Sequence, residues 1–223
     1  MSRRCSRISD VAAAGARWHA SAPSWSNANR RSSTDNRTNL EFYQEEVERR
    51  CGICLSNPLI YEAFTYYDRE VLPYKNDDAI NAHAMPGAHD ALQAVQDAGL
   101  RCALFTNPSF PQGAIECRMG WGELTDAPFE LVTHMGNATR CKPDATYYLE
   151  QLQVMGLEPH EVLMVGNDPK RDFPSPACGI QTAYVGQGKP GRATWRGTME
   201  DFARDFNAVV EAFYEHQIAD ELS

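Results

Sequence analysis

The chain has 223 residues, 43% of them hydrophobic and 10% aromatic, which is enough for one α/β domain with a small inserted or appended element. Its net charge of -9 argues against nucleic acid as a partner, because contact with a phosphate backbone needs a basic surface. A small anionic ligand stays open, since a few local donors outweigh the global field. No stretch approaches the ~20 apolar residues of a membrane span. Val11 to Ala14 is too short for the apolar core of a signal peptide, so no membrane partner is expected and the cytoplasm is the default.

The charge is uneven. Residues 1–37 carry seven arginines against Asp10 and Asp35, a net +5, and leave -14 for the rest. They are rich in Ser, Ala and Asn and show neither a helical nor a strand period. A disordered tail, an organellar transit peptide and a non-native coding segment all fit that composition.

From Leu40 the texture changes. Leu40, Tyr43 and Val47, then Ile60, Ala63, Phe64, Tyr67 and Val71, recur at helical spacing, and Asn57-Pro58 divides them into two helices. Residues 38–84 therefore read as a small helical element. Within it, Cys51-Gly-Ile-Cys54 has the spacing of half a metal site or a redox pair. With seven scattered cysteines and no second such pair, zinc is disfavoured and no disulfide framework is expected.

Residues 85–223 alternate. Pro86-Gly87 opens a helix that Gly99 ends, and Cys102 to Phe105 is a short apolar run of the kind a buried parallel strand shows. Pro111 to Arg118 starts another helix, and Phe129 to Thr133 is a strand. Asp144 to Gly156 is a helix, Val162 to Val165 the strongest strand, and Thr182 to Val185 a further one. Phe202, Phe206, Val209, Val210 and Phe213 mark one amphipathic C-terminal helix. Strands alternating with helices of this length predict a parallel sheet with helices on both faces. Ligands in such sheets sit at the carboxyl ends of the strands.

Three strand ends carry polar groups. Thr106-Asn107-Pro108 leaves a hydroxyl and an amide able to donate to a phosphoryl oxygen, although Asn-Pro is also an ordinary turn pair. Lys142, before Pro143 and a helix, places a cation where the helix dipole disfavours it, which suggests an accompanying anion; a solvated surface lysine accounts for it equally well. Gly166-Asn-Asp168 to Asp172 follows the strongest strand. One helical turn puts Asp168 and Asp172 on the same side, a pair of hard oxygen ligands suited to Mg²⁺. Gly166 is read as permitting a sharp turn.

In this order, Leu104-Phe-Thr106-Asn107, then Cys141-Lys142-Pro143, then Val165-Gly-Asn-Asp168 to Asp172, the motifs resemble the haloacid dehalogenase superfamily from its second motif to its fourth. The likeness covers about residues 86–186. It implies a Rossmann-like core, with residues 38–84 where members often carry a helical cap. It also implies a Mg²⁺-dependent phosphomonoesterase acting on a small phosphorylated metabolite. Thr106, Asn107 and Lys142 would then hold the phosphoryl oxygens, and Asp168 and Asp172 the metal.

The family's first motif, a strand ending in an Asp-x-Asp-x-Thr nucleophile, has no counterpart. Asp10 lacks a partner carboxylate. Asp35 has Arg37 where the second aspartate belongs and no apolar strand before it. Asp68 follows a run that is helical by period. The first strand of the sheet is thus expected to be missing, and turnover to be impaired. Dehalogenation, which needs no metal, would not call for the two aspartates. The alternative is a non-catalytic phosphate-ligand binder of the same fold.

Overall fold

The protein was studied as a computed structural model that describes residues 31–78, 80–188 and 192–221. In chain order the main elements are α1 (Asn39–Cys51), α2 (Pro58–Tyr66), α3 (Ala88–Asp97), β1 (Ala103–Leu104), α4 (Gln112–Trp121), β2 (Leu131–Val132), α5 (Ala145–Met155), β3 (Leu163–Gly166), β4 (Gln181–Val185), β5 (Trp195–Gly197), α6 (Met199–Arg204) and α7 (Phe206–Glu221). They fall into two compact units. One gathers the described residues up to Ala82 with Asn107–Trp121 and His134–Cys141. The other holds His83–Thr106, Gly122–Thr133 and the residues from Lys142 onward. Among the described residues, no helix is long and apolar enough to cross a membrane.

In the first unit, α1 opens with a capping box. The Thr38 side chain accepts from the Glu41 backbone N–H while the Glu41 carboxylate accepts from that of Thr38. Val47 and Ile53 are buried beneath Tyr43, Leu55 and Ile60. Asn57 caps α2, and Pro58 occupies its first turn. The chain continues helically through a wide turn, Tyr67–Val71, and a tight one, Leu72–Lys75. The period read between Ile60 and Val71 is therefore helical, and Asp68 lies within a helical run rather than after a strand.

The same unit anchors the end of the Arg-rich segment; residues 1–30 of that segment, and the disorder expected of them, lie outside the described residues. Arg140 is only 4% exposed. Its guanidinium donates to the carbonyls of Ser32 (2.7 Å), Asp35 (2.9 Å) and Thr139 (3.0 Å). Asn39, fully buried, donates from Nδ2 to the carbonyls of Pro108 and Arg140 and accepts from Arg31 at Oδ1. Arg31 and Arg37 both lie over the Phe42 ring. Hydrogen bonds from Arg37 hold the Asp35 carboxyl well below the usual carboxylate range.

The second unit is an α/β fold of the Rossmann-like kind, with parallel strands and helices on both faces. β1 pairs with β2 (Ala103 with Leu131, Leu104 with Val132), and β3–β4–β5 form a second parallel sheet. Side chains alternate between faces, as a strand requires. Ala183 and Val185 of β4 enter a core with Ala91, Phe202, Phe206 and Val209. Tyr184 points the other way and meets the Phe173 ring edge-on at 6.5 Å. Gly87 adopts a left-handed φ of +80°, and an added Cβ there would lie 2.6 Å from the Glu200 backbone, so α3 starts against α6 only with glycine at that position.

The strands of the described residues form two separate parallel sheets. Among the described residues, β1 is hydrogen-bonded only to β2, and β3 only to β4. β4, paired on both sides, has four of its five residues buried, whereas both residues of β1 are half-buried. The apolar run at residues 102–105 is therefore less enclosed than a central parallel strand would be. Two readings need correction. The single C-terminal helix is two, α6 and α7, divided at Asp205 after a Thr198–Asp201 capping box. β5 was not anticipated, because three residues pairing along one edge carry no period.

Arg140→Leu removes a buried charged donor and the hydrogen bonds it makes to the Ser32 and Asp35 carbonyls, at a cost of about 3 kcal/mol. Thermal unfolding should show that loss, and trypsin should cut at Arg37 much faster than in the unaltered chain. Unchanged cleavage kinetics would show that Arg140 does not hold the segment.

Candidate active site

Lys142, Asp168 and Asp172 come together at the carboxyl end of β3. The Lys142 ammonium donates to Asp172 Oδ1 at 3.0 Å, with the two side chains 6% and 15% exposed. The other oxygen, Oδ2, accepts from the backbone N–H groups of Asn167 (3.1 Å) and Asp168 (2.9 Å). Asp172 N donates to Asp168 O at 2.7 Å, so the two aspartates are one helical turn apart as their spacing predicts. Burial pushes the Lys142 ammonium below its ordinary pKa, and Asp172, with a smaller contribution from Asp168, opposes that shift. Asp168 is more open, 44% exposed, with Oδ1 accepting from the Lys170 and Arg171 backbone N–H groups.

Gly166 serves a different purpose from the turn assigned to it. Its φ is outside the left-handed region. An added Cβ would lie 2.5 Å from Asp172 Cβ and 2.7 Å from Oδ2. The missing side chain is the space in which the Asp172 carboxylate sits.

Thr106 follows β1 by two residues in the same unit. Its hydroxyl donates to the Thr133 carbonyl at 2.7 Å, and its backbone N–H to Thr133 Oγ1 at 2.8 Å. The hydroxyl proton is therefore engaged with the neighbouring strand, and a phosphoryl oxygen would have to compete for it. Asn107 clusters with the first unit. Its side-chain carbonyl oxygen is buried with no hydrogen-bond partner.

Two adjacent side chains that the sequence reading did not single out tie these strand ends together. In the first turn of α5, the Tyr147 hydroxyl donates to the Thr106 carbonyl at 2.7 Å. The Tyr148 hydroxyl donates to the carbonyls of Asp172 (2.7 Å) and Arg171 (2.9 Å). Both residues are fully buried, their rings lie 5.0 Å apart, and Phe105 packs edge-on to Tyr147 at 5.9 Å. The available signal was two adjacent tyrosines at a helix start, since a buried phenol needs an acceptor. Asp144, just before the helix, caps it by accepting from Thr146 N.

A family model described as haloacid dehalogenase-like hydrolase matches residues 13–178. The chain belongs to that family. The family match starts within the Arg-rich segment and runs past Asp172. Phosphoglycolate phosphatase of Nitrosospira multiformis is 25% identical over 158 residues, which cover 70% of this chain and 64% of that protein. The aligned part thus spans slightly less than two thirds of that relative. The structure of a β-phosphoglucomutase from Clostridium difficile superposes with a TM-score of 0.53 at 14% identity, covering 81% of this chain and 79% of that one. Another, assigned to β-phosphoglucomutase from Thermotoga maritima, gives 0.51 at 16% identity over 76% and 78% of the two chains. At these identities the structural likeness is one of fold.

The family's metal can be tested against the residues present. Mg²⁺ binds through one or two carboxylates, water and substrate phosphate. Asp168 offers an accessible carboxylate, while Asp172 is already committed to Lys142 and two amides. Among the described residues, no group of three or more His, Cys, Asp or Glu is placed to hold a metal, which includes the Cys51/Cys54 pair. The set fits a weak Mg²⁺ site that leans on water.

Lys142→Met should cost about 3 kcal/mol, because it strands a buried carboxylate. Asp172→Asn should cost a similar amount, and the double variant less than the sum by about 2 kcal/mol. Additive losses in chemical denaturation would show that the two side chains do not depend on each other.

Proposed function

We propose that the chain descends from a Mg²⁺-dependent phosphomonoesterase that forms an aspartyl-phosphate on a small phosphorylated metabolite in the cytoplasm, and that this chain is impaired because it carries no nucleophile. The observation that supports this most is the buried Lys142–Asp172 pair beside Asp168 at a parallel strand end. A buried ammonium there is a fixed positive charge for transferring phosphoryl oxygens, and charge stabilisation carries most of phosphoryl transfer. The likeness to a phosphoglycolate phosphatase supports a small anionic monoester as substrate. In this reading residues 38–84 act as the cap, and Lys142, Thr106 and Asn107 receive the phosphoryl group. Asp168 and Asp172 would hold Mg²⁺, which supplies further charge neutralisation when bound. Lys142 also holds the Asp172 carboxylate in place.

The missing step is covalent. Lys142 and Thr106 stabilise charge, but neither takes the role of the aspartate that attacks phosphorus. The break between β1 and β3 favours a lost strand over a simple point substitution, because it leaves the sheet incomplete as well as the chemistry. The buried, unpartnered Asn107 oxygen also leaves room for a second reading, a non-catalytic binder of phosphorylated ligands.

With Mg²⁺ and an aryl phosphate, the unaltered chain should show no turnover above background. Replacing residues 1–30 with an apolar strand ending in Asp-x-Asp-x-Thr should restore both turnover and cooperative unfolding. Turnover by the unaltered chain that Asp68→Asn abolishes would instead identify Asp68 as the nucleophile and overturn this reading.

Calorimetry should detect weak Mg²⁺ binding that Asp168→Asn removes. Equal heats in both proteins would discard the aspartate pair as a metal site.

A further inference from the structure

The chain cannot continue as a helix beyond the aspartate turn. Asp172 is followed by Phe-Pro-Ser-Pro, so the residue four positions on is Pro176, which has no backbone N–H to give the Asp172 carbonyl. Side chains supply the donors instead. The buried Tyr148 hydroxyl donates to the carbonyls of Asp172 (2.7 Å) and Arg171 (2.9 Å), and the Arg192 guanidinium donates to that of Pro174. Asp172 is thus held at both ends of its backbone, because its N–H donates to the Asp168 carbonyl at 2.7 Å. From that fixed backbone the side chain fills the space above Gly166, with Oδ2 on the Asn167 and Asp168 amides and Oδ1 on Lys142.

We propose that Tyr148 is a positioning residue whose hydroxyl sets the orientation of the Asp172 carboxylate and, through it, the Mg²⁺ affinity of the Asp168–Asp172 pair; the affinity, though not the orientation, rests on reading the two aspartates as a Mg²⁺ site. No atom of Tyr148 needs to touch the ion. Groups that orient a metal ligand by hydrogen bonding commonly govern its affinity, and removing one weakens metal binding by roughly 10- to 100-fold. Tyr147 provides the contrast. It is equally buried, with its ring 5.0 Å away, yet its hydroxyl donates to the Thr106 carbonyl and meets the Thr133 hydroxyl at 2.9 Å. Loss of that hydroxyl takes buried hydrogen bonds from the same helix turn but leaves the donor to Asp172 in place.

Tyr148→Phe and Tyr147→Phe each remove one oxygen and keep the packed ring, so both variants should fold. Amide-resolved NMR on the full chain reads native-state hydrogen exchange at the Asn167 and Asp168 backbone N–H groups, and the same signals report binding as MgCl₂ is titrated. In Tyr148→Phe these two amides should exchange roughly 10-fold faster than in the unaltered chain. The Mg²⁺ dissociation constant should rise about 10-fold or more. In Tyr147→Phe both should stay close to the unaltered values, although its melting temperature falls by a similar amount. Unchanged exchange at Asn167 and Asp168 in Tyr148→Phe overturns the proposal. Equal changes in the two variants also overturn it, since they would report a general loosening of α5. Faster exchange with an unchanged dissociation constant breaks the link to the metal. Mg²⁺ that moves no amide of the unaltered chain removes the metal site and the affinity effect together, and the exchange comparison still decides whether Tyr148 orients the carboxylate.

Discussion

The second unit depends on two phenols. Tyr147 and Tyr148 are buried side by side, and a buried hydroxyl without a partner would cost a few kcal/mol. Each finds a backbone carbonyl, one at the end of β1 and the other in the turn after β3. Those strands are not hydrogen-bonded to each other. A single helix turn therefore does part of the work that a continuous ladder does in a complete sheet. It brings the two strand ends on which Thr106 and Asp172 stand to one place.

That arrangement also accounts for the electrostatics. Lys142 precedes α5 by three residues, and the helix start that sets the two tyrosines delivers its ammonium to Asp172. Asp172 in turn occupies the space that Gly166 leaves open above β3. Charge, packing and backbone are linked here: a bulkier residue at 166 displaces the carboxylate, and a displaced carboxylate strands a buried ammonium. The groups that hold the Lys142–Asp172 pair all lie after residue 141.

The first unit follows a different logic. Its buried polar centre, Asn39 and Arg140, is satisfied almost entirely by backbone carbonyls. Such contacts hold a chain segment in place irrespective of its side chains, which is how the end of an Arg-rich segment without apolar content becomes ordered. The helical element, by contrast, leaves its most apolar helix uncovered.

Much was determined by the sequence alone, and for local reasons. Periodicity and caps placed α1, α2, α3, α5, β3 and β4. The order of Thr106, Lys142, Asp168 and Asp172 was enough for the family, and the four-residue spacing put the two aspartates in one turn. Only the tertiary structure decided what those groups do with their hydrogen bonds. It turned the Thr106 hydroxyl to Thr133, gave Asp172 to Lys142, and made Gly166 a matter of space rather than of turn conformation. It also decided that β1 and β3 do not pair with each other, and that Arg140 rather than any carboxylate holds Ser32 and Asp35. These outcomes join residues up to 108 positions apart, as Arg140 and Ser32 are. No local pattern encodes such a contact, because the acceptor is a backbone carbonyl that every residue possesses.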